Sequence, residues 1–181
     1  MALVYIFFAD GVEEIEALTA VDILRRGGVE TVMVSVTGNR TIHGSHDIIF
    51  ETDRLFEDGP LTDADMLVLP GGGAGTKALT AHEGLRELLF AYAKKDRWIG
   101  AICAAPSVLG RNGLLRGRRA TCFPGFEEFL EGATVTGESV VVDGKFITGK
   151  GMGVANEFAI ALLGALDADK AAEVRTKTQM P

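Results

Sequence analysis

Residues 98–106, WIGAICAAP, decide the fold that we expect for this chain. WIGAIC (98–103) is a short apolar run, which is typical of a strand buried on both faces of a sheet. It ends at Cys103, and APSVLGRNGLL (105–115) follows as a predicted helix that Gly113 closes. A strand that turns directly into a helix is a unit of an α/β domain, and it holds Cys103 at the strand's carboxyl end.

The alternation of strand and helix extends upstream of this unit. ALVYIFFA (2–9), TVMVSV (31–36) and DMLVLP (65–70) are apolar runs that predict buried strands. Apolar residues recur at helical spacing over 13–26 and 83–95, which predicts two helices. The segment 51–64 is interpreted as a linker, and the glycines after Pro70 as a tight loop.

Downstream, two further features complete the pattern. IHGSHDIIF (42–50) predicts a small hairpin or edge pair, and 139–148 predicts a hairpin that turns at Asp143-Gly144. A last helix, NEFAIALLGAL (156–166), precedes a charged helical tail. We therefore expect a single α/β domain over residues 1–181, with a mostly parallel sheet and helices on both faces.

The bulk properties exclude several classes of protein. The chain has 181 residues and a net charge of −7, so nucleic acid is not an expected partner, and Arg116, Arg118 and Arg119 are interpreted as a solvated loop. No segment is long and apolar enough for a membrane helix or has the pattern of a signal peptide. With two cysteines and no export signal, we expect reduced thiols and a cytoplasmic location.

Cys103 is the first candidate for chemistry. Ligands of open α/β sheets bind beyond the carboxyl ends of the strands, where Asp10-Gly11, Pro70–Gly73 and Cys103 lie. A sharp elbow at Cys103 would present the sulfur at a helix N-terminus, which predicts a lowered thiol pKa and a nucleophilic thiolate. The alternative is a buried, inert cysteine.

Other residues near the strand ends have structural explanations as well. Gly71–Gly73 could expose backbone N–H groups as an oxyanion hole or simply form a turn. Glu16 suits the first turns of a helix without any function. The three histidines, His43, His46 and His82, lack metal-ligand spacing, so no metal site is expected. Cys122 is either a partner for oxidised Cys103 or a buried structural thiol.

Five ordered motifs resemble the ThiJ/PfpI superfamily, most closely its parkinsonism-associated deglycase branch, which includes the bacterial YajL proteins. The motifs are VEEIEA (12–17), LRRGG (24–28), VLPGG (68–72), AICAAP (101–106) and a Gly-x-Gly-x-x-x-Glu-Phe pattern over 151–158. The resemblance implies a flavodoxin-like sandwich, related to the class I glutamine amidotransferases, and a homodimer. It also implies that Cys103 is oxidation-sensitive, that a protonated Glu16 hydrogen-bonds its sulfur, and that backbone N–H groups of Gly72 and Ala104 face the site.

The chain departs from the patterns of this branch at two positions, Phe123 and His46. Phe123 stands where relatives with glyoxalase activity can have a histidine, and His46 where some members have an arginine; Arg26 matches a second family arginine. The resemblance thus makes Arg26, His46 and Phe123 candidates for an anion or substrate site. Ala104 replaces the histidine that usually follows the cysteine in the peptidase branch, which argues against proteolysis.

Two functions from different classes follow from this resemblance. One is a cofactor-free enzyme of glyoxalase III or deglycase type, in which Cys103 attacks methylglyoxal, glyoxal or their glycation adducts and Glu16 moves protons. The other is a non-enzymatic redox sensor or chaperone in the stress response, in which Cys103 oxidises to a sulfinic acid.

Overall fold

The computed structural model describes residues 1–180, which form eleven strands and six α-helices. The strands are β1 (Leu3–Phe8), β2 (Glu30–Ser35), β3 (Thr41–His43), β4 (Ile49–Glu51), β5 (Arg54–Leu55), β6 (Met66–Leu69), β7 (Trp98–Ile102), β8 (Arg119–Ala120), β9 (Thr134–Val135), β10 (Val140–Asp143) and β11 (Phe146–Gly149). The helices are α1 (Glu14–Arg26), α2 (Gly73–Ala81), α3 (Glu83–Lys94), α4 (Pro106–Arg111), α5 (Ala155–Leu166) and α6 (Ala168–Lys177).

The central sheet contains seven strands in the order β10-β11-β7-β6-β1-β2-β5. Every neighbouring pair is parallel except β10 and β11, which form the antiparallel hairpin predicted at Asp143-Gly144. The hairpin predicted over 42–50 is the antiparallel pair β3 and β4 outside this sheet. The predicted fold class, a mostly parallel sheet in a flavodoxin-like sandwich, is confirmed.

Side-chain alternation along the buried strands divides the core into two layers. On β1, Tyr5 and Phe7 pack on the face covered by α2, α3 and α4, whereas Ile6 and Phe8 pack on the face covered by α1, α5 and α6. Phe158 of α5 is fully buried in the second layer. Because helices cover both faces, the central strands can be apolar on both sides, which explains their continuous apolar sequences.

Two elements differ from the sequence-based expectation. The glycine loop after Pro70 is not only a loop, since α2 begins at Gly73. Glycine and threonine weaken the helical signal of this segment, so packing on the sheet decides it. Within the predicted linker 51–64, Arg54 and Leu55 form the edge strand β5 beside β2; two residues are too few to show a periodicity.

The strand order brings the predicted functional segments to one edge of the sheet. β1 pairs with β6, and β6 pairs with β7, all in parallel. The chain segments after these strands, Asp10–Glu13, Pro70–Gly72 and Cys103, therefore lie side by side at the carboxyl end of the sheet. No helix of residues 1–180 has the length and apolar character needed to cross a membrane.

Candidate active site

Cys103 forms a strained elbow between β7 and α4. Its φ angle is +65°, in the left-handed region that side-chain-bearing residues rarely adopt and that costs on the order of 1–3 kcal/mol. The backbone holds it there: the Cys103 N–H donates to the Gly149 carbonyl at 2.9 Å, and its own carbonyl accepts from the Phe123 N–H at 2.8 Å. The half-buried side chain is thus held at the end of the strand.

Glu16 lies beside this elbow, on the second layer of the core. Its backbone N–H donates to the side chain of Glu13, the N-cap residue of α1, at 2.7 Å. The Glu16 side chain is 1% exposed, and its Oε2 accepts a hydrogen bond from the Gly71 N–H at 3.0 Å. Its other oxygen, Oε1, is buried and accepts no hydrogen bond from residues 1–180. The Cys103 thiol interacts with the same carboxyl and influences its pKa.

The glycine loop leaves room for this pair and supplies hydrogen-bond donors. A Cβ at Gly71 would lie 2.4 Å from Glu16 Oε2 and 2.5 Å from Cys103 Cβ, so only glycine permits the contact. Gly72 has a φ of +91°. Its backbone N–H and that of Ala104 act on the Cys103 sulfur and lower the pKa of the thiol. The structure therefore brings together Cys103, Glu16, Gly72 and Ala104.

The two acids cannot both ionise easily. Burial raises the pKa of Glu16 to about 7, although the Cys103 thiol and the Gly71 N–H favour its charged form. Burial, and then the charge of an ionised Glu16, raise the pKa of Cys103 to about 12, against the effect of the Gly72 and Ala104 N–H groups. The pair therefore titrates as a unit and holds one proton over a wide pH range.

The expectation that a helix N-terminus lowers the thiol pKa is wrong, because burial and the charge of an ionised Glu16 outweigh the backbone N–H groups. The opposing causes, burial and the charge of Glu16, both belong to tertiary structure. Because Glu16 and Cys103 are distant in sequence, the sequence alone does not show how strongly they interact.

His46 is engaged in the structure, but with Glu14 rather than with Cys103. In the turn between β3 and β4, the His46 N–H donates to Glu14 Oε1 at 2.6 Å, and His46 Nδ1 lies 3.0 Å from Glu14 Oε2, which also accepts from Ser45. Burial opposes ionisation of Glu14, but these hydrogen bonds outweigh it and lower its pKa to about 2. The interaction with Glu14 raises the pKa of His46.

Ligand atoms of Glu13, Glu14 and His46 lie within 4.8 Å of one another, close enough to hold a metal ion. However, Glu14 accepts hydrogen bonds from His46 and Ser45, and Glu13 accepts from the Glu16 N–H. Hydrogen bonds within the protein therefore account for the arrangement.

Arg26 lies far from the Cys103 elbow, whereas Phe123 lies beside it. Arg26 ends α1, roughly 15 Å along the helix axis from Glu16, and its Nε donates to Asp22. Phe123 contacts the elbow through its backbone, and its ring is 47% exposed. Within residues 1–180, Arg26, His46 and Phe123 do not converge on one anion site.

Cys122 packs in the core layer that contains α2 to α4, whereas Cys103 packs against the other layer. Burial raises the pKa of Cys122 to about 11. This environment is that of a structural thiol. Of the predicted solvated arginines, Arg118 and Arg119 pair with Asp143 and Glu138.

Comparison with known proteins agrees with this geometry. The model of the DJ-1/PfpI family matches residues 2–165. The chain belongs to the DJ-1/PfpI family. The solved structure of oxidized Toxoplasma gondii DJ-1 superposes with a TM-score of 0.95 at 29% identity, covering 99% of this chain and 98% of that one.

Two relatives of this chain differ in how much of their own length it matches. Protein DJ-1 homolog B of Arabidopsis thaliana is 37% identical over 86% of this chain, which spans only 36% of that relative's length. The glutathione-independent glyoxalase DJ-1 of Schizosaccharomyces pombe is 30% identical, and the match covers 90% of each chain.

The sequence-based analysis missed two contributions to the site. The Gly71 N–H binds Glu16, a role that neither predicted alternative for the glycine run, an oxyanion hole or a turn, includes. Glu13 both caps α1 and joins α1 to the glycine loop, since its own N–H donates to the Gly71 carbonyl at 3.0 Å. The sequence signal for the Gly71 contact was a glycine run directly after a buried strand. No sequence signal indicated the role of Glu13, because glutamate is not a preferred N-cap residue.

Proposed function

We propose that this protein is a cofactor-free, glutathione-independent glyoxalase or deglycase of the stress response. Its substrates would be methylglyoxal, glyoxal or the glycation adducts they form. The interaction between the buried Glu16 carboxyl and the half-buried Cys103 thiol carries the proposal. The name of the Schizosaccharomyces pombe relative supports the reaction type. A cytoplasmic location belongs to the proposal, and the two free thiols are consistent with it.

In the reactive state, the shared proton resides on Glu16 and the negative charge on sulfur. Glu16 is almost fully buried and accepts from one backbone N–H, that of Gly71, whereas Cys103 is half-buried and the backbone N–H groups of Gly72 and Ala104 both favour a charge on its sulfur. A charge is more stable where it is better solvated and hydrogen-bonded. This arrangement makes Cys103 a nucleophile and Glu16 a proton donor.

The proposed reaction requires only water as co-reactant. The thiolate adds to the aldehyde carbon, and the resulting oxyanion takes the proton of Glu16, giving a hemithioacetal. The ionised Glu16 then removes the proton from that carbon and returns it to the neighbouring carbon through an enediol, which yields a thioester. Water hydrolyses the thioester to lactate or glycolate and frees the thiol. No oxidant or reductant is consumed, because the aldehyde is oxidised while the adjacent carbonyl is reduced.

The decisive experiment is turnover of methylglyoxal without glutathione. The unsubstituted protein is expected to convert it to lactate, and Cys103→Ser to lower the rate by at least about a thousandfold, because a hydroxyl supplies almost no nucleophilic anion at neutral pH. Cys122→Ser is the matched control and is expected to retain the rate. Equal, negligible rates for the unsubstituted protein and Cys103→Ser would contradict the enzyme proposal.

The second candidate is a redox sensor or chaperone that acts through oxidation of Cys103 to a sulfinic acid. The partial exposure of the sulfur and the adjacent carboxyl favour it, because a protonated Glu16 can donate to a sulfinate oxygen. This candidate requires no turnover. The rate comparison therefore distinguishes the two functions.

We propose that the protein is a homodimer. Ile15, Ile48 and Ile49 are about half exposed, at 52%, 49% and 59%, and they lie on α1 and the β3–β4 hairpin. The hydrogen bonds between Glu14 and His46 join these two elements, so the isoleucines belong to one region of the surface. Sedimentation equilibrium is expected to give twice the chain mass of 19.2 kDa. If the unsubstituted protein and Ile15→Lys both had the mass of one chain, this part of the proposal would be contradicted.

A further inference from the structure

A cavity of about 370 Å³ lies between α2 and α4, outside the Cys103–Glu16 pair. Each helix contributes one face to it. Thr76, Lys77 and Thr80 of α2 follow Gly73 by three, four and seven residues, which places them on one helical face, and Ser107 and Arg111 of α4 are four apart. Phe126 contributes an apolar surface. The volume is within the range of about 300–1,000 Å³ that is typical of small-molecule sites.

Two cations from different helices line this cavity, and no carboxylate does so among residues 1–180. The guanidinium of Arg111 lies 3.7 Å from the centroid of the Phe129 ring. This stacking orients the guanidinium and leaves its N–H donors free. Neither Lys77 nor Arg111 has an ion-pair partner within the described part of the chain. In a chain of net charge −7, this cavity therefore has a locally positive character.

Three residues that carry hydroxyl groups, Thr76, Thr80 and Ser107, line the same cavity. Ser107 Oγ donates to the Ala104 carbonyl at 2.6 Å, and Thr80 Oγ1 donates to the Thr76 carbonyl at 2.7 Å, so both retain lone pairs that can accept. Thr76 is 4% exposed, and its Oγ1 is buried without a hydrogen-bond partner in residues 1–180. This hydroxyl is therefore closed off from the cavity, and the hydroxyls of Ser107 and Thr80 are the candidates for contact with a ligand.

We propose that this cavity binds a phosphate monoester of a small polyol. Lys77 and Arg111 would hold the phosphate, whose charge of nearly −2 matches two cations better than a carboxylate does. The hydroxyls of Thr80 and Ser107 would bind those of the polyol. This site does not rest on the chemistry proposed for Cys103.

Titration with glycerol 3-phosphate, followed by calorimetry, tests the proposal. Saturable binding to one site per chain is expected, tighter than that of inorganic phosphate. Lys77→Gln and Arg111→Gln should each weaken it about tenfold, because each removes a charge-assisted contact. Lys94→Gln and Arg86→Gln remove equivalent exposed charges of α3 outside the cavity and should change binding less than about twofold.

A second variant separates recognition of the polyol from that of phosphate. Thr80→Val removes a hydroxyl that lines the cavity and whose hydrogen bond goes to a carbonyl of its own helix, so the variant should fold normally. It is expected to weaken glycerol 3-phosphate binding and to leave inorganic phosphate binding unchanged. The proposal is overturned if no saturable binding occurs, if Lys77→Gln and Arg111→Gln both bind normally, or if Cys103→Ser abolishes binding, which would place the ligand at the elbow instead.

Discussion

The Glu16→Gln protein is expected to form its Cys103 thiolate at a pH about two units higher than the unsubstituted protein does. Because Glu16 and Cys103 titrate as a unit, the values of about 7 and about 12 belong to the pair, which loses its first proton near 7; under the proposed function the resulting charge resides on sulfur. Glutamine removes the shared proton. Burial alone then keeps the thiol pKa above its ordinary value of about 9.

The measurement is thiolate absorbance against pH, with the rate of alkylation as a second readout. About a hundredfold less thiolate at neutral pH is expected for Glu16→Gln, which follows from tenfold per pKa unit. Cys103→Ser supplies the blank, and Glu83→Gln, an exposed acid at the start of α3, is the matched control. If the unsubstituted thiol titrates only near 12 and Glu16→Gln lowers its pKa, the charge resides on Glu16 and the proposed nucleophile is refuted.

Glu16→Gln is also expected to change how the free energy of unfolding depends on pH. The Glu16 carboxyl loses its proton near 4.5 in the unfolded chain, whereas the folded Glu16–Cys103 pair loses its first proton near 7, so the folded state binds more protons between these values. The contribution of Glu16 to the free energy of unfolding is complete below pH 4.5 and is lost as the pH rises through 7. The loss is on the order of 3 kcal/mol, and Glu16→Gln should remove this slope from urea denaturation curves.

The fold was more predictable than the electrostatics of the site. Apolar strands such as 2–9 and 98–103 indicate a buried parallel sheet by composition alone, and the position of Cys103 follows from the general geometry of such sheets. The interaction of Glu16 with Cys103 required either the family resemblance or the structure, because their sequence separation has no periodicity. For the same reason, the sequence did not indicate that burial would raise both pKa values.

The cavity between α2 and α4 illustrates the same limit. Its α2 face was hidden, because glycine and threonine in 73–81 do not predict a helix. Unless the segment is known to be helical, the spacing of Thr76, Lys77 and Thr80 does not show that they share one face. Packing on the sheet stabilises α2, and the helical conformation then places these residues on the side of α2 that lines the cavity.

The three consecutive glycines after Pro70 are expected to respond very differently to alanine. Gly72→Ala should lower the free energy of unfolding by about 3 kcal/mol or more. A Cβ there would lie 2.2 Å from the Gly11 carbonyl oxygen and 2.5 Å from the Glu13 backbone nitrogen, and the φ of +91° disfavours any side chain. Backbone atoms on both sides cannot move away cheaply.

Gly71→Ala should affect the chemistry most. Its Cβ would lie between Glu16 Oε2 and Cys103 Cβ, at 2.4 and 2.5 Å, and relief requires the two side chains to separate. A displacement of about 1 Å at a reacting group can cost on the order of a hundredfold in rate. We therefore expect at least that loss of methylglyoxal turnover, together with a thiol titration that no longer depends on Glu16.

Gly73→Ala provides the control within the same loop. A Cβ at Gly73 meets no atom within 4 Å, and alanine suits the first residue of α2 better than glycine does. Stability and turnover are expected to be unchanged or slightly increased, as measured by urea denaturation and lactate formation. If Gly71→Ala and Gly73→Ala were equally active, close contact between Glu16 and Cys103 would not be needed for turnover, and the proposed role of Glu16 as proton donor would fail.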